Sequence, residues 1–197
     1  MKERPILFSG PMVRAILSGR KTQTRRIVKP QPDESGLSKK DGAEYWEDAS
    51  GRKYICPFGV PGDRLWVRET WRTTKSLEHL APRNIASGAP LEYMADRCLT
   101  PGGGRLEYRG KARPSIFMPR WASRINLEVA DVRIERLNDI TEEDAKAEGW
   151  DGYISYMPQP HPAIAEFSRL WESIHGPGSW DHNPWVWVVT FKVEGPE

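Results

Sequence analysis

Residues 9–28 read SGPMVRAILSGRKTQTRRIV, which predicts a helix, a turn and the start of a strand. Pro11 suits the first turn of a helix over residues 9–19, and Gly19 suits a left-handed helix exit. Apolar residues recur on one face of this helix, at Met12, Val13, Ile16 and Leu17. The polar, basic residues that follow lead into a predicted strand that includes Ile27 and Val28.

Lys21 and Thr24 are the best candidates for chemistry, because they lie three residues apart just past the helix exit. If the segment curls, the amine and the hydroxyl point into one cavity. A partly desolvated lysine loses its charge readily and can accept a proton from a threonine nucleophile. The alternative is an exposed basic edge that only contacts backbone phosphate. Spacing alone favours this edge, since Lys-x-x-Thr occurs often by chance.

The remaining chain predicts several short strands and few helices. Strict alternation predicts strands at 64–71 and 125–136, and an apolar run predicts a central strand at 185–193. A capping-box pattern predicts a short helix over 141–148, and apolar spacing predicts a longer helix over 162–175. The buried face of the longer helix is predicted to carry Ile164, Phe167, Leu170, Trp171 and Ile174.

These elements predict an α+β fold, in which a small mixed β-barrel has short helices over its openings. The 197 residues suit a single domain over 1–197. Two long segments rich in Pro, Gly and charge, at about 29–60 and 72–113, are predicted to be loop insertions. In the first, the apolar pairs Tyr45-Trp46 and Tyr54-Ile55 leave a hairpin as an open alternative.

Composition indicates a soluble protein, with a mean hydropathy of −0.64 and 28% charged residues. No apolar run is long enough to span a membrane, and the N-terminal apolar stretch is too short for a signal peptide. A cytoplasmic location is therefore expected, where Cys56 and Cys98 stay as thiols. The net charge is only +2, but residues 1–124 are net basic and residues 125–197 net acidic. Either one face meets phosphates or the two halves interleave in space.

A second constellation lies at Arg120, Trp121 and Arg124. Two arginines around a tryptophan suit a base stacked on the ring, with the guanidinium groups on flanking phosphates. In the alternative, the tryptophan packs in the core and the arginines pair with acidic residues. The position before a strand favours binding, because loop residues are free to face a ligand.

Neither a metal nor a cofactor is expected. The two cysteines and the four histidines, His79, His161, His175 and His182, show no paired ligand spacing. The glycine run at 102–104 lacks the Lys-Ser/Thr of a phosphate-binding loop and is more simply a turn.

Gly19, Lys21, Thr24 and Arg26 fit the pattern G-x-K-x-x-(E or T)-x-R, and in this the chain resembles the ASCH domain family. The segments PGDRLWVRE at 61–69, ITEEDAKAE at 140–148 and the strand at 187–193 resemble further family elements in the same order. More narrowly, residues 6–26 and 116–129 are similar to ASCH-like proteins of bacterial phages and prophages.

The resemblance implies a PUA-like barrel and RNA binding in a cleft beside it. The expected partner is RNA, another single-stranded nucleic acid, or a modified nucleoside. Arg20, Arg25 and Arg26 would then contact phosphates. Two alternatives stay open: a hydrolase or single-strand ribonuclease using the same pocket, and a phage accessory protein that binds a host protein.

In the hydrolase alternative, the resemblance to enzymes that cleave the amide of N4-acetylcytidine implies roles for three residues. Thr24 would be the nucleophile, Lys21 the base, and Glu148 the group that protonates or positions the leaving amine. Glu69 is the rival carboxylate, because it ends a predicted strand and can reach the same pocket.

Overall fold

The structure is a computed structural model that describes residues 1–33, 36–40, 42–97, 109–150 and 161–195. The predictions made for Cys98 and for the glycine run at 102–104 lie outside these ranges.

Within the described ranges the chain forms ten strands and three α-helices. The strands are β1 (Glu3–Leu7), β2 (Gln23–Ile27), β3 (Ser38–Lys39), β4 (Trp46–Glu47), β5 (Lys53–Tyr54), β6 (Arg64–Arg68), β7 (Trp71–Thr73), β8 (Leu91–Tyr93), β9 (Asn126–Arg136) and β10 (Trp185–Val193). The helices are α1 (Gly10–Leu17), α2 (Glu142–Ala147) and α3 (Pro162–His175). Among these helices there is none with the length and apolar character needed to cross a bilayer.

The main sheet has the strand order β1-β6-β9-β10-β2, with β1 parallel to β6 and every other pair antiparallel. Strand β10 lies between two partners, as its apolar sequence predicts. The mixed α+β class is confirmed, with several sheets and few helices. The predicted closed barrel is not confirmed, because the pairings among the described strands leave β1 and β2 as edges.

The two faces of the main sheet carry separate hydrophobic clusters. On one face, Val186 and Val188 of β10 pack with residues of α2 and α3, including Phe167 and Trp171. On the other face, Val189 and the remaining core strands pack under α1 and the small β3-β4-β5 sheet. Alternate residues of β10 therefore serve two different layers, which explains its two apolar faces.

The two longer helices form where the sequence predicts them, but each buries a narrower face than expected. Leu17 of α1 is 47% exposed, and Leu170 and Ile174 of α3 are 39% and 55% exposed. In α3 the fully packed positions are Ala163, Phe167 and Trp171, spaced four residues apart along one line of the helix, with Ile164 partly buried. The small residue Ala163 therefore lies on the buried face of α3, where only large apolar residues were predicted.

Both predicted insertions contain packed structure. Within 29–60, strands β3 to β5 form a small sheet, and Trp46 packs edge-on against Trp187 of β10 at 5.0 Å between ring centroids. Within 72–113, strand β8 pairs with β7 and encloses a cluster around the fully buried Trp71. The strand predicted at 64–71 is therefore two strands, β6 and β7.

Replacement of Gly149 by Ala should strongly destabilise the fold. Gly149 has φ +107°, and an added Cβ would lie 2.9 Å from Ala15 Cβ and 3.2 Å from Lys21 Cβ. Backbone strain and the close contact together should cost about 2–4 kcal/mol of unfolding free energy in urea denaturation. Gly19→Ala is the control, because its φ is +74° but nothing lies within 4 Å of the added atom. Equal losses for the two variants would contradict the close packing at Gly149.

Candidate functional site

Lys21 is brought into the protein interior by the turn that ends α1. The backbone N–H groups of Arg20 and Lys21 both donate to the carbonyl of Ala15, at 2.9 and 3.0 Å. Gly19 adopts the positive φ that this reversal requires. Lys21 then forms an isolated β-bridge with Glu148, at the exit of α2. The turn therefore aligns a lysine and a glutamate that are far apart in sequence.

Lys21 is 1% exposed, and its ammonium group makes three hydrogen bonds. Nζ donates to Glu148 Oε2 at 2.6 Å, to the Glu148 carbonyl at 2.9 Å and to the Gln23 carbonyl at 2.8 Å. Burial lowers the pKa of Lys21, and the adjacent Glu148 carboxylate opposes that shift. The predicted pairing of these two residues in one site is present.

Arg25 extends this pair into a buried network. Its Nη1 donates to Gln23 Oε1 and Glu148 Oε1, at 2.7 and 3.3 Å. Its Nε and Nη2 both reach Glu135, and Nη2 also donates to Asp144 at 2.9 Å. Every guanidinium nitrogen is thus used inside the protein. This position does not suit the predicted contact of Arg25 with phosphate, because the side chain is fully buried.

Thr24 lies on the opposite face of β2 from Arg25. Thr24 pairs with Val189 and Arg25 with Val188, and these two valines belong to different core clusters. Thr24 is buried, yet in the described part of the chain no hydrogen bond joins its hydroxyl to Lys21 or Glu148. The nucleophile role of Thr24 therefore stays a prediction.

Glu69, the rival carboxylate, belongs to another buried ion pair. Arg124 donates to Glu69 through Nε at 2.8 Å and Nη2 at 3.1 Å, and it also contacts Asp96. The guanidinium group lies over the ring of Tyr93 at 4.1 Å. Burial raises the pKa of Glu69 even though Arg124 opposes the shift. Glu69 and Arg124 thus face each other rather than the Lys21 site or a ligand.

Two of the remaining predicted arginines lie close to the Lys21 segment. Arg20 is exposed, and its Nη1 approaches the carbonyl of Gly149 at 3.4 Å. Arg26 is half-buried, and its Nη2 donates to the carbonyl of Leu7 at 2.7 Å. Both guanidinium groups border space that a ligand can enter, in contrast to Arg25.

None of the contacts described for the predicted constellation at 120–124 involves Lys21. Arg120 pairs with Glu3 through Nε and Nη2, at 3.1 and 3.2 Å, and lies over the ring of Trp66. Trp121 is partly buried against the cluster around Trp71. Together with the pairing of Arg124, these contacts match the alternative in which the arginines pair with acids.

A cleft of about 200 Å³ opens beside the Lys21–Glu148 pair, and we call it the Glu148 cleft. Its walls come from α1, α2 and α3, and most of its lining residues are apolar. Glu148 and Glu166 supply carboxylates, whereas no lysine or arginine lines it. Trp150 also lines the cleft, and its indole N–H is buried without a hydrogen-bond partner in the described structure. The cleft therefore offers carboxylate acceptors within apolar walls.

Sequence reasoning missed Gln23 and Trp150 at this site. Gln23 and Arg25 follow Lys21 at intervals of two residues, and residues with this spacing along a strand lie on the same side. That signal was present in the sequence. No sequence pattern around Trp150 indicates that it lies at this site, and only the fold places it there.

Comparison with known proteins adds no relative: no family model, curated protein or solved structure matches the chain. The resemblance to the ASCH family therefore stays a prediction. Among the residues that the structure describes, no group of three or more His, Cys, Asp or Glu residues is placed to hold a metal ion.

Disruption of the Lys21–Glu148 pair should show strong energetic coupling. Lys21→Met leaves a buried carboxylate without its closest partner, and Glu148→Met leaves a buried ammonium, so each should cost about 3–5 kcal/mol of unfolding free energy. The double variant should cost clearly less than the sum of the two single losses.

Chemical denaturation of the four proteins measures this coupling. Lys146→Met, at an exposed position of α2, is the control and should change stability by less than about 0.5 kcal/mol. Additive losses at Lys21 and Glu148 would contradict a direct pair.

Proposed function

We propose that this protein is an ASCH-type RNA-binding protein that holds one nucleobase in the Glu148 cleft. The observation that carries the proposal is the buried Lys21–Glu148 pair at the wall of that cleft. Charged groups are costly to bury, so an ionic pair at a cleft favours a functional role over a purely structural one.

The chemistry of the cleft suits a base with an exocyclic amino group. Glu148 accepts hydrogen bonds from Lys21 and Arg25, one at each oxygen, and a carboxylate has further lone pairs to offer. Carboxylates commonly accept from the N4 amino group of cytosine. A cytosine presents this amino group, whereas uracil lacks it.

The size and polarity of the cleft favour a base over a phosphate. The cleft volume of about 200 Å³ is below the range of about 300–1,000 Å³ that is usual for drug-sized ligands, so the cleft has room for no more than a small group such as a single ring. The two lining carboxylates repel a phosphate. A strand backbone would instead run over the edge, where the exposed Arg20 borders the cleft at Gly149. Single-stranded RNA is commonly recognised in this way, with a base turned out of the strand into a pocket.

The architecture of the edge strands supports the PUA-like part of the proposal. Arg26 of β2 donates to the Leu7 carbonyl of β1 and lies over the ring of Phe8 at 5.4 Å. These two strands are the outer strands of the main sheet. The contact between them indicates that the sheet curls strongly, as a barrel-like domain requires.

Short single-stranded RNA should reveal the base preference of the cleft. Oligocytidine should bind about tenfold more tightly than oligouridine of equal length, because one good amino-to-carboxylate contact supplies such discrimination. Glu148→Gln should lower the preference several-fold, because its amide keeps one acceptor oxygen but loses the charge. The comparison is made at a temperature at which circular dichroism shows this variant to be folded, since it also weakens the pair with Lys21. Fluorescence anisotropy at fixed salt measures all four affinities.

Glu143→Gln is the matched control, since Glu143 is exposed on the same short helix. It should keep the preference for oligocytidine. Equal affinity of the unaltered protein for the two oligonucleotides would remove the proposed base recognition.

Amide hydrolysis on N4-acylcytidine is the second candidate function. The burial of Lys21 favours it, because desolvation lowers the pKa of the amine and so eases the loss of the proton that a base must lose before it accepts one from Thr24. Thr24 Oγ1 would attack the acyl carbonyl and pass its proton to Lys21, and with Glu148 positioning the amine this proton would go to the leaving N4 as the C–N bond breaks. A water molecule would then hydrolyse the acyl ester on Thr24 and release the acid. A substrate would first have to release Lys21 from its three acceptors.

Incubation with N4-acetylcytidine tests this second candidate. The unaltered protein should release cytidine, and Thr24→Val, which keeps the size of the buried side chain, should lower the rate by at least about 100-fold. Chromatography quantifies the cytidine that is released. RNA added to the same reaction should be recovered intact, which excludes ribonuclease action. Equal rates for the two proteins would eliminate Thr24 as the nucleophile.

A further inference from the structure

A second cavity, of about 660 Å³, lies where the 29–60 insertion meets β2 and the end of α3. We call it the basic cavity. Seven of its eleven lining residues belong to the insertion, and none of them lines the Glu148 cleft. The remaining wall includes Arg26, Trp187 and His175, the last residue of α3. This volume falls within the range of small-molecule sites in proteins.

Positive charge dominates the lining. Three of the eleven side chains are cationic, at Arg26, Lys29 and Lys53, a fourth is the imidazole of His175, and none is acidic. In the described part of the chain, no carboxylate lies within ion-pair distance of Arg26, Lys29 or Lys53. Like charges around one cavity repel each other, and a bound anion relieves this repulsion.

The surroundings of His175 show the same excess of positive charge. Its ring packs on Trp171 at 4.2 Å between centroids, which fixes its position at the helix end. Burial and the nearby positive charges of Arg26 and Lys29 lower the pKa of His175. Arg26 and Lys29 are therefore close enough to act on His175.

Arg26 is held ready to receive a ligand. One end of its guanidinium group is fixed by the Leu7 carbonyl, and its plane lies near the ring of Phe8. Its Nε is buried without a hydrogen-bond partner in the described structure. A pre-oriented guanidinium group binds phosphate oxygens well, because little side-chain entropy remains to be lost.

The rest of the lining is apolar and accessible. Ile55 is 66% exposed, and Phe58 and Pro30 are partly accessible beside it. An inorganic anion makes no use of such a wall, whereas the sugar and base of a nucleotide can rest on it.

We infer that the basic cavity binds a phosphate group attached to a nucleoside, through Arg26, Lys29, Lys53 and His175. The phosphate comes from a free mononucleotide or from the backbone of a single strand. This site goes beyond the proposed base recognition and uses different residues.

UMP and uridine isolate the phosphate contribution, because uracil lacks the amino group that suits the Glu148 cleft. UMP should bind at least about tenfold more tightly than uridine, as expected for charge-assisted hydrogen bonds. The double variant Lys29→Ala/Lys53→Ala should bind UMP no better than uridine. Calorimetry at low salt measures each affinity.

Lys40→Ala/Lys75→Ala removes the same charge from exposed positions outside the cavity and serves as the matched control. It should keep the preference for UMP. A second readout is the His175 pKa by NMR, which should rise when UMP binds to the unaltered protein and stay constant with uridine.

An oligouridine without a terminal phosphate distinguishes the two possible sources of the phosphate. If its affinity falls in Lys29→Ala/Lys53→Ala, the cavity holds backbone phosphate; if only UMP affinity falls, it holds a mononucleotide. Equal UMP affinity in the two double variants, or no UMP binding at all, would overturn the inference. Loss of oligocytidine preference would instead count only against the Glu148 cleft.

Discussion

The buried ion pair between Lys21 and Glu148 is the contact on which this molecule depends. An ammonium group removed from water is tolerated only when a carboxylate and further acceptors surround it. Here the acceptors come from the exit of α2 and from the first residue of β2, Gln23. The pair therefore holds the α1 turn, the edge of the main sheet and the short helix in one fixed arrangement, and the Glu148 cleft exists because of it.

Local patterns predicted much of the fold but not all of its long-range pairing. The bounds of α3 and β10 match the sequence prediction, because their apolar periods are long and their ends carry Pro or Gly. Thr141 caps α2 as predicted. Strands β4 and β5 form a hairpin through the apolar residues Trp46 and Tyr54, an alternative that the sequence left open. Strand β3 was missed because a two-residue strand carries no measurable period. The bond from Arg124 to Glu69 crosses 55 residues, and no local pattern encodes such a partner.

At the candidate site, the Lys21–Glu148 contact followed from the family resemblance, and the placement of Thr24 shows its limit. The prediction required the segment after Gly19 to curl so that Lys21 and Thr24 shared one cavity. Gln23 instead opens a strand, where alternation puts Thr24 on the opposite face from Arg25. The two cavities have complementary chemistry, one with carboxylates and one with cations, and α3 lines both. Under the proposed function, the first would hold a base and the second a phosphate of a nucleotide strand.

A crystal structure of the protein grown with cytidine tests the central claim most directly. The account predicts a cytosine ring in the Glu148 cleft, with its amino group within hydrogen-bond distance of a Glu148 oxygen and the Lys21 pair intact. Cytidine bound elsewhere, or a cleft that contains only water at saturating cytidine, would contradict the account.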